Sequence, residues 1–318
     1  MCIRDSDFTA AVERRLAAGG ITAPIQGSVA RFDGRGDHLD GLRRKLNIPG
    51  LISGLRAMNL KVIVDPMHGS AAGCVKDLLG PEGHQLVEEI RSERDPLFGG
   101  NPPEPLAPYL RELIEAVQSS TSAGTPAVGL GFDGDGDRIA AVDESGRFCS
   151  TQLLMPLLID HLARVRQLPG CIVKTVSGSD LMRRVAEGQG REVRELPVGF
   201  KYIASEMLAD EVLIGGEESG GVGFGMHLPE RDALFAAMLV LEALVEDGHP
   251  LGARLNELQL QNGGASHYDR LDLRLADMSA RKRLETRLEQ SAPETVAGVP
   301  VMEVIRTDGI KLRLGSSH

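Results

Sequence analysis

Three aspartates alternate with two glycines in Phe132-Asp-Gly-Asp-Gly-Asp-Arg138. The apolar run Ala127–Phe132 before them reads as a buried strand, so the turn that follows can aim Asp133, Asp135 and Asp137 at one point. Hard carboxylate oxygens at that density suit a divalent cation such as magnesium, with positions left for a phosphate. The intervening glycines allow backbone paths that side chains would obstruct. The competing reading is a solvated acidic turn, but three aspartates closing an apolar strand are costly without a cation. A calcium-binding EF-hand would place Asp133, Asp135, Asp137 and Glu144 at its first, third, fifth and twelfth positions. Its sixth position needs glycine and here holds Arg138. The flanks, Ala127–Phe132 and Ile139–Val142, pattern as strands, whereas an EF-hand needs helices.

A second signal, Gly215-Gly-Glu-Glu-Ser-Gly-Gly221, also follows an apolar run. Ligand sites in open α/β sheets lie where strand carboxyl ends meet the following loops, and Glu217 and Ser219 can exchange hydrogen bonds with sugar hydroxyls. Alone, this is a glycine-rich turn with exposed glutamates. It is no dinucleotide fingerprint, because Gly221 and Gly223 are followed by Met226 where a third glycine belongs. In Pro197-Val-Gly-Phe-Lys-Tyr202, Lys201 opens an expected helix, where charge and free amides together favour a phosphate. An ordinary surface lysine is the plain alternative. Asp65-Pro-Met-His-Gly69 reads as a strand-ending turn in which His68 has a structural role as its default.

The elements that must position these residues alternate. Expected strands are Lys61–Val64, His84–Ile90, Ala127–Phe132, Cys171–Val176, Glu192–Leu196 and Glu211–Ile214; expected helices are Ala71–Leu79, Pro105 or Pro108 to Gln118, Gln152–Arg166, Asp180–Glu187, Phe200–Leu208 and Arg231–Glu246. The proline-rich stretch Gly99–Pro105 is loop. This alternation predicts α/β units with largely parallel pairing, repeated weakly in tandem. After Gly263-Gly264 the pattern changes to a strand at His267–Leu275, a charged helix at Ser279–Gln290 and a hairpin over Val299–Leu314 turning at Asp308-Gly309. That is the opening of an α+β domain.

Composition narrows the function class. With 318 residues, 42% of them hydrophobic, two or three domains are expected. A net charge of -10 argues against a nucleic-acid partner. Cys2, Cys74, Cys149 and Cys171 lack metal or disulfide spacing, so they read as thiols of a reducing compartment. The longest apolar run, Ala233–Val245, is interrupted by Glu242 and falls short of the roughly 20 residues that span a bilayer. A cytoplasmic protein with no membrane partner is the expectation. Residues 1–6, Met-Cys-Ile-Arg-Asp-Ser, look like translated adapter sequence and are set aside.

Together, Asp65-Pro-Met-His-Gly69, Asp95-Pro-Leu-Phe-Gly-Gly100, Asp133-Gly-Asp-Gly-Asp-Arg138, Lys174-Thr-Val-Ser-Gly178, Val198-Gly-Phe-Lys-Tyr202 and Gly216-Glu-Glu-Ser-Gly220 resemble the α-D-phosphohexomutase family, in the family's order. The resemblance covers about residues 56–318 and implies a mixed α/β fold of tandem similar domains followed by a TATA-binding-protein-like α+β domain. Expected boundaries are 1–55 for a first-domain remnant and linker, 56–150 for domain II with the metal loop, 151–262 for domain III with the sugar loop, and 263–318 for a partial C-terminal domain. The implied activity is interconversion of hexose 1- and 6-phosphates through a phosphoserine and a bisphosphate intermediate. Magnesium would sit on Asp133, Asp135 and Asp137, with Arg138 beside the phosphoserine. Glu217, Ser219, Ser177, Gly178 and Lys201 would bind substrate, Lys201 also transferring a proton. Glucose 1,6-bisphosphate is the implied activator.

The family's phosphoserine loop, Thr-Ala-Ser-His-Asn-Pro, and its C-terminal Arg-x-Ser-Gly-Thr-Glu-Pro loop do not occur in the 318 residues. The one Ala-Ser-His, Ala265–His267, follows the sugar loop and is out of order. The expectation is therefore a chain truncated at both ends and inactive alone. A serine-free sugar-phosphate-binding protein of the same fold is the alternative. Glu217-Glu-Ser219 leans, by resemblance, towards glucose and mannose and away from glucosamine. Oligomeric state has no signature in the sequence.

Overall fold

The computed structural model describes residues 6–19, 27–265, 267–271, 273, 275 and 277–315. The chain divides into two units, residues 1–38 and 39–318. The first contains helix α1 (Ser6–Ala17) and the opening of α2 (Gly34–Arg43). The second carries every element that follows.

Helix α3 (Ile48–Ala57) starts where the Asn47 side chain accepts the Gly50 N–H at 3.1 Å, with Pro49 in the first turn. Its Leu51, Ile52 and Leu55 are buried. Within residues 1–55, read from the sequence as remnant and linker, this segment is part of the core. The first sheet follows: β1 (Lys61–Asp65), helix α4 (Cys74–Leu79), β2 (Val87–Glu89), α5 (Arg111–Ser122), β3 (Ala127–Phe132), β4 (Ile139–Val142) and β5 (Phe148–Cys149). Its strand order is β2-β1-β3-β4-β5; β1 is parallel to β2 and β3, and β4 is antiparallel to both β3 and β5. Both faces of β3 and β4 are buried, which is why they read as unbroken apolar runs.

The second sheet repeats the plan. Helix α6 (Thr151–Asp160) leads to β6 (Cys171–Thr175), α7 (Asp180–Gly188), β7 (Val193–Leu196), α8 (Phe200–Ala209), β8 (Val212–Gly216) and β9 (Val222–Phe224). The order is β7-β6-β8-β9, with β6 parallel to β7 and β8, and β9 antiparallel to β8. The single helix expected over Gln152–Arg166 instead changes to a π-helical turn at His161–Val165, after Pro156 has removed one amide from the helix interior. Helices α9 (Ala233–Asp247) and α10 (Leu251–Gln261) follow. Helix α9 is apolar almost all round and accordingly buried. A Cβ on Gly54 would lie 2.0 Å from Val245 Cγ1, so glycine lets α3 approach α9 closely. One continuous core joins α3, α6, α9 and residues of both sheets.

The C-terminal part has helix α11 (Met278–Gln290) and strands β10 (Thr295–Val296), β11 (Val299–Ile305) and β12 (Lys311–Leu314), an antiparallel sheet. The expected hairpin is present. The strand expected at His267–Leu275 is not: its described residues are exposed and irregular, with no sheet neighbour to pair them. Ser266 of the out-of-order Ala-Ser-His lies outside the described residues. Among the described residues, no helix is long and apolar enough to cross a membrane. Cys74, Cys149 and Cys171 are thiols, and burial pushes that of Cys149 up to about 12.

Candidate functional site

The aspartate loop joins β3 to β4, at the carboxyl end of a parallel strand. Asp133 is fully buried and heavily bonded. Its Oδ1 accepts the amides of Asp137 at 2.9 Å and Arg138 at 3.0 Å, and its Oδ2 accepts Arg138 Nε at 2.6 Å. Neighbouring loops support the turn, with Ser70 N–H donating to the Gly134 carbonyl at 3.0 Å and Gly134 N–H to that of Pro103 at 3.0 Å.

Asp133, Asp135 and Asp137 each offer a carboxylate oxygen within 4.8 Å of the others. Burial pushes the Asp137 carboxyl up to about 6; Arg231 pulls it down, and the Asp133 and Asp135 charges add to the rise. Three carboxylates face two guanidiniums, Arg138 and Arg231, so the cluster is short of positive charge. Asp133 Oδ2 keeps one acceptor position after its bond to Arg138. This donor set fits a hard divalent cation. The flanking strands β3 and β4 exclude an EF-hand, and Glu144 is occupied elsewhere, its Oε2 accepting the Gly252 N–H at 2.8 Å in the first turn of α10.

The Glu-Glu-Ser loop occupies the matching place in the second sheet, between β8 and β9. The two loops meet. Arg138 and Gly221 form an isolated antiparallel bridge, and Ile139 N–H donates to the Gly220 carbonyl at 3.1 Å. Gly220 has φ +110, and a Cβ there would come within 2.9 Å of the Ile139 carbonyl oxygen, so this approach requires glycine. Glu217 is 6% exposed, and its Oε1 accepts the Gly199 amide at 3.1 Å. Burial raises its carboxyl above the ordinary range, opposed by Arg231 and the Gly199 amide.

The remaining sequence candidates surround this junction. The Gly199–Glu217 bond brings the start of α8 to the loop, while the exposed Lys201 ammonium lies 4.9 Å from the centre of the Tyr202 ring. Ser177 donates its hydroxyl to the Glu218 carboxylate. The Gly178 carbonyl accepts from the buried Lys174 ammonium at 2.9 Å. Ser219 lines a cavity of about 360 Å³ together with Ile139, Ser150, Thr151 and Glu218. His68 donates from Nδ1 to the Glu93 carbonyl at 2.9 Å, apart from the aspartates' own bonds.

Sequence reasoning missed Arg231. Its guanidinium pairs with Asp137 at 2.6 Å, reaches Glu217 at 4.0 Å and stands over the Phe200 ring at 5.5 Å. It therefore ties the aspartate loop to the glutamate loop. The available signal was the charged Glu230-Arg-Asp232 directly before a largely apolar helix.

Both halves of this arrangement are alpha/beta/alpha domains of one kind. Residues 37–146 match domain II, and residues 151–260 domain III, of phosphoglucomutase/phosphomannomutase. The chain belongs to the phosphoglucomutase/phosphomannomutase family, the α-D-phosphohexomutases. It is 30% identical over 253 residues to a phosphoglucosamine mutase of Parafrankia sp. (strain EAN1pec), covering 77% of this chain and 51% of that protein. It is 29% identical over 197 residues to a phosphoglucomutase/phosphomannomutase of Thermococcus kodakarensis, covering 62% and 42%. A crystal structure of a candidate phosphomannomutase from Thermus thermophilus superimposes with a TM-score of 0.77 at 31% identity, over 92% of this chain and 60% of that one. The chain spans about half the length of the curated relatives it matches.

Proposed function

We propose that this chain carries the metal-binding and sugar-binding halves of a phosphohexomutase site, which interconverts hexose 1- and 6-phosphates of glucose or mannose. The observation that carries the reading is the Arg138–Gly221 bridge, which sets the aspartate loop against the Glu-Glu-Ser loop. Magnesium held by Asp133, Asp135 and Asp137 would supply Lewis-acid stabilisation of charge on a phosphoryl oxygen. Arg138 gives its Nε to Asp133, which leaves the terminal guanidinium nitrogens to donate to phosphoryl oxygens. Glu217, fixed by Gly199 N–H, accepts from sugar hydroxyls, and Ser219 adds a hydroxyl partner. Ser177 and Gly178 border the sugar from the β6–α7 turn. Lys201, at the start of α8, meets the distal phosphate and is the candidate proton-transfer group. A bisphosphorylated hexose, the proposed intermediate and activator, matches a site with cationic features at separate points.

Calorimetry on the 318-residue chain tests this reading. Glucose 1,6-bisphosphate should bind only with magnesium present, lose binding in Asp135→Ala and weaken at least about tenfold in Glu217→Ala, the loss of one charged hydrogen bond. Glucosamine phosphates should bind more weakly than their glucose and mannose counterparts. Bisphosphate binding that ignores both substitutions would overturn the site.

A further inference from the structure

We propose that Gln152 is a positioning residue for the Glu-Glu-Ser loop, acting through Ser177. The consequence for substrate rests on the sugar-binding reading above; the mechanical coupling does not.

Gln152 is 3% exposed and sits in the first turn of α6. Its Nε2 donates to the Ser177 carbonyl at 2.9 Å, and its Oε1 accepts the Ser179 amide at 2.6 Å. The Ser179 hydroxyl returns a bond to the Gln152 carbonyl at 3.1 Å. One side-chain amide thus takes both the acceptor and the donor that flank Gly178, as a neighbouring strand would. A carboxylate lacks the donor, and an aliphatic side chain lacks both groups.

What the clamp fixes is the Ser177 hydroxyl. That hydroxyl lies 3.0 Å from Thr175 Oγ1 and donates to the carboxylate of Glu218, in the middle of the loop. The clamp also sits at the joint between the two sheets. Strand β5, just before Gln152, pairs with β4 at Ala141–Cys149, and β4 begins at Ile139, which bonds Gly220. Two routes therefore run from the aspartate loop to the Glu-Glu-Ser loop. One is the direct bridge; the other passes through β4, β5, Gln152 and Ser177. Together they close a ring that fixes the loop from both sides. A glutamine that merely satisfied its own buried amide would not need Ser177 to bond onward to Glu218.

Hydrogen exchange on the full 318-residue chain separates these cases. Gln152→Leu should speed exchange about tenfold in both 176–180 and 216–221, the protection of roughly one lost hydrogen bond. Ser177→Ala should speed only 216–221, and the double variant should be no faster there than Ser177→Ala alone. If Gln152→Leu affects 176–180 alone, or if the effects at 216–221 add, the proposal is wrong. Should Gln152→Leu melt too low to measure, Gln152→Glu keeps the Ser179 bond, loses the Ser177 one and is judged by the same criterion. In parallel, Gln152→Leu should raise the dissociation constant for glucose 1,6-bisphosphate about tenfold while leaving the magnesium-induced melting shift unchanged. Wild-type chain that binds no bisphosphate would remove the sugar reading and leave the exchange result to decide the coupling.

Discussion

The two α/β halves share a topology and differ in how each holds its acidic loop. In both, a central strand lies between two parallel neighbours, and the loop follows the second of these before an antiparallel return. The first loop is anchored internally: Asp133 takes three bonds from residues four and five positions on. The second is held from outside, by Gly199 on Glu217 and Ser177 on Glu218. An internally braced carboxylate cluster suits an ion that demands fixed oxygens. A loop positioned by other elements can follow a sugar presented in two orientations. The fold sets where each loop stands, and the side chains decide what it can hold.

Truncation at the two anchors should give the largest contrast. Asp133→Ala leaves Arg138 and two amides without their buried acceptor and should cost about 3–5 kcal/mol. Glu217→Ala strands one amide and relaxes Arg231, so about 1–2 kcal/mol is expected. Denaturant unfolding of both variants provides the comparison, and equal losses would mean that the loops are braced alike.

A second measurement concerns the residue that joins them. In Arg231→Ala the aspartates lose one of their two guanidiniums, so magnesium should raise the melting temperature more than it does in the wild type. A shift no larger than wild type would show that Arg231 does not share the work of neutralising the loop.

The last contrast lies in the second sheet. Lys174 is fully buried on β6, and burial lowers its ammonium to about 8 from 10.5, with Glu195 pulling the other way at 2.6 Å. Between those values the unfolded chain binds more protons than the folded one, so this group makes stability rise as pH climbs from 8 to 10.5. Melting curves across that window should show the rise relative to Lys174→Met. An identical pH profile in the variant would place the ammonium in a wetter setting.

Much of this was legible in the sequence because the strands are buried on both faces and their loops carry glycine between charged residues. The aspartate and Glu-Glu-Ser loops, and the strands before them, needed no tertiary information. Helix α3 was hidden because Pro49, Gly50 and Gly54 pattern as loop; the residues that make it a helix in place are those of α9 against which it packs. Helix α10 was missed, although Leu251, Leu255 and Leu258 fall on one helical face and gave a usable signal. His267–Leu275 alternates as a strand should, yet alternation without a partner makes no ladder. Arg231 and Gln152 act through contacts between loops distant in sequence, which no local pattern encodes.

The seat of Gly54 against Val245 has a consequence for synthesis. At about 5–20 residues per second, roughly 190 residues must be translated between these two positions, a delay of about ten to forty seconds. Through that interval Leu51, Ile52 and Leu55 have left the ribosome with their apolar face uncovered by α9. The nascent chain thus offers a short amphipathic helix to chaperones until its partner arrives, and closing that contact must come late in folding.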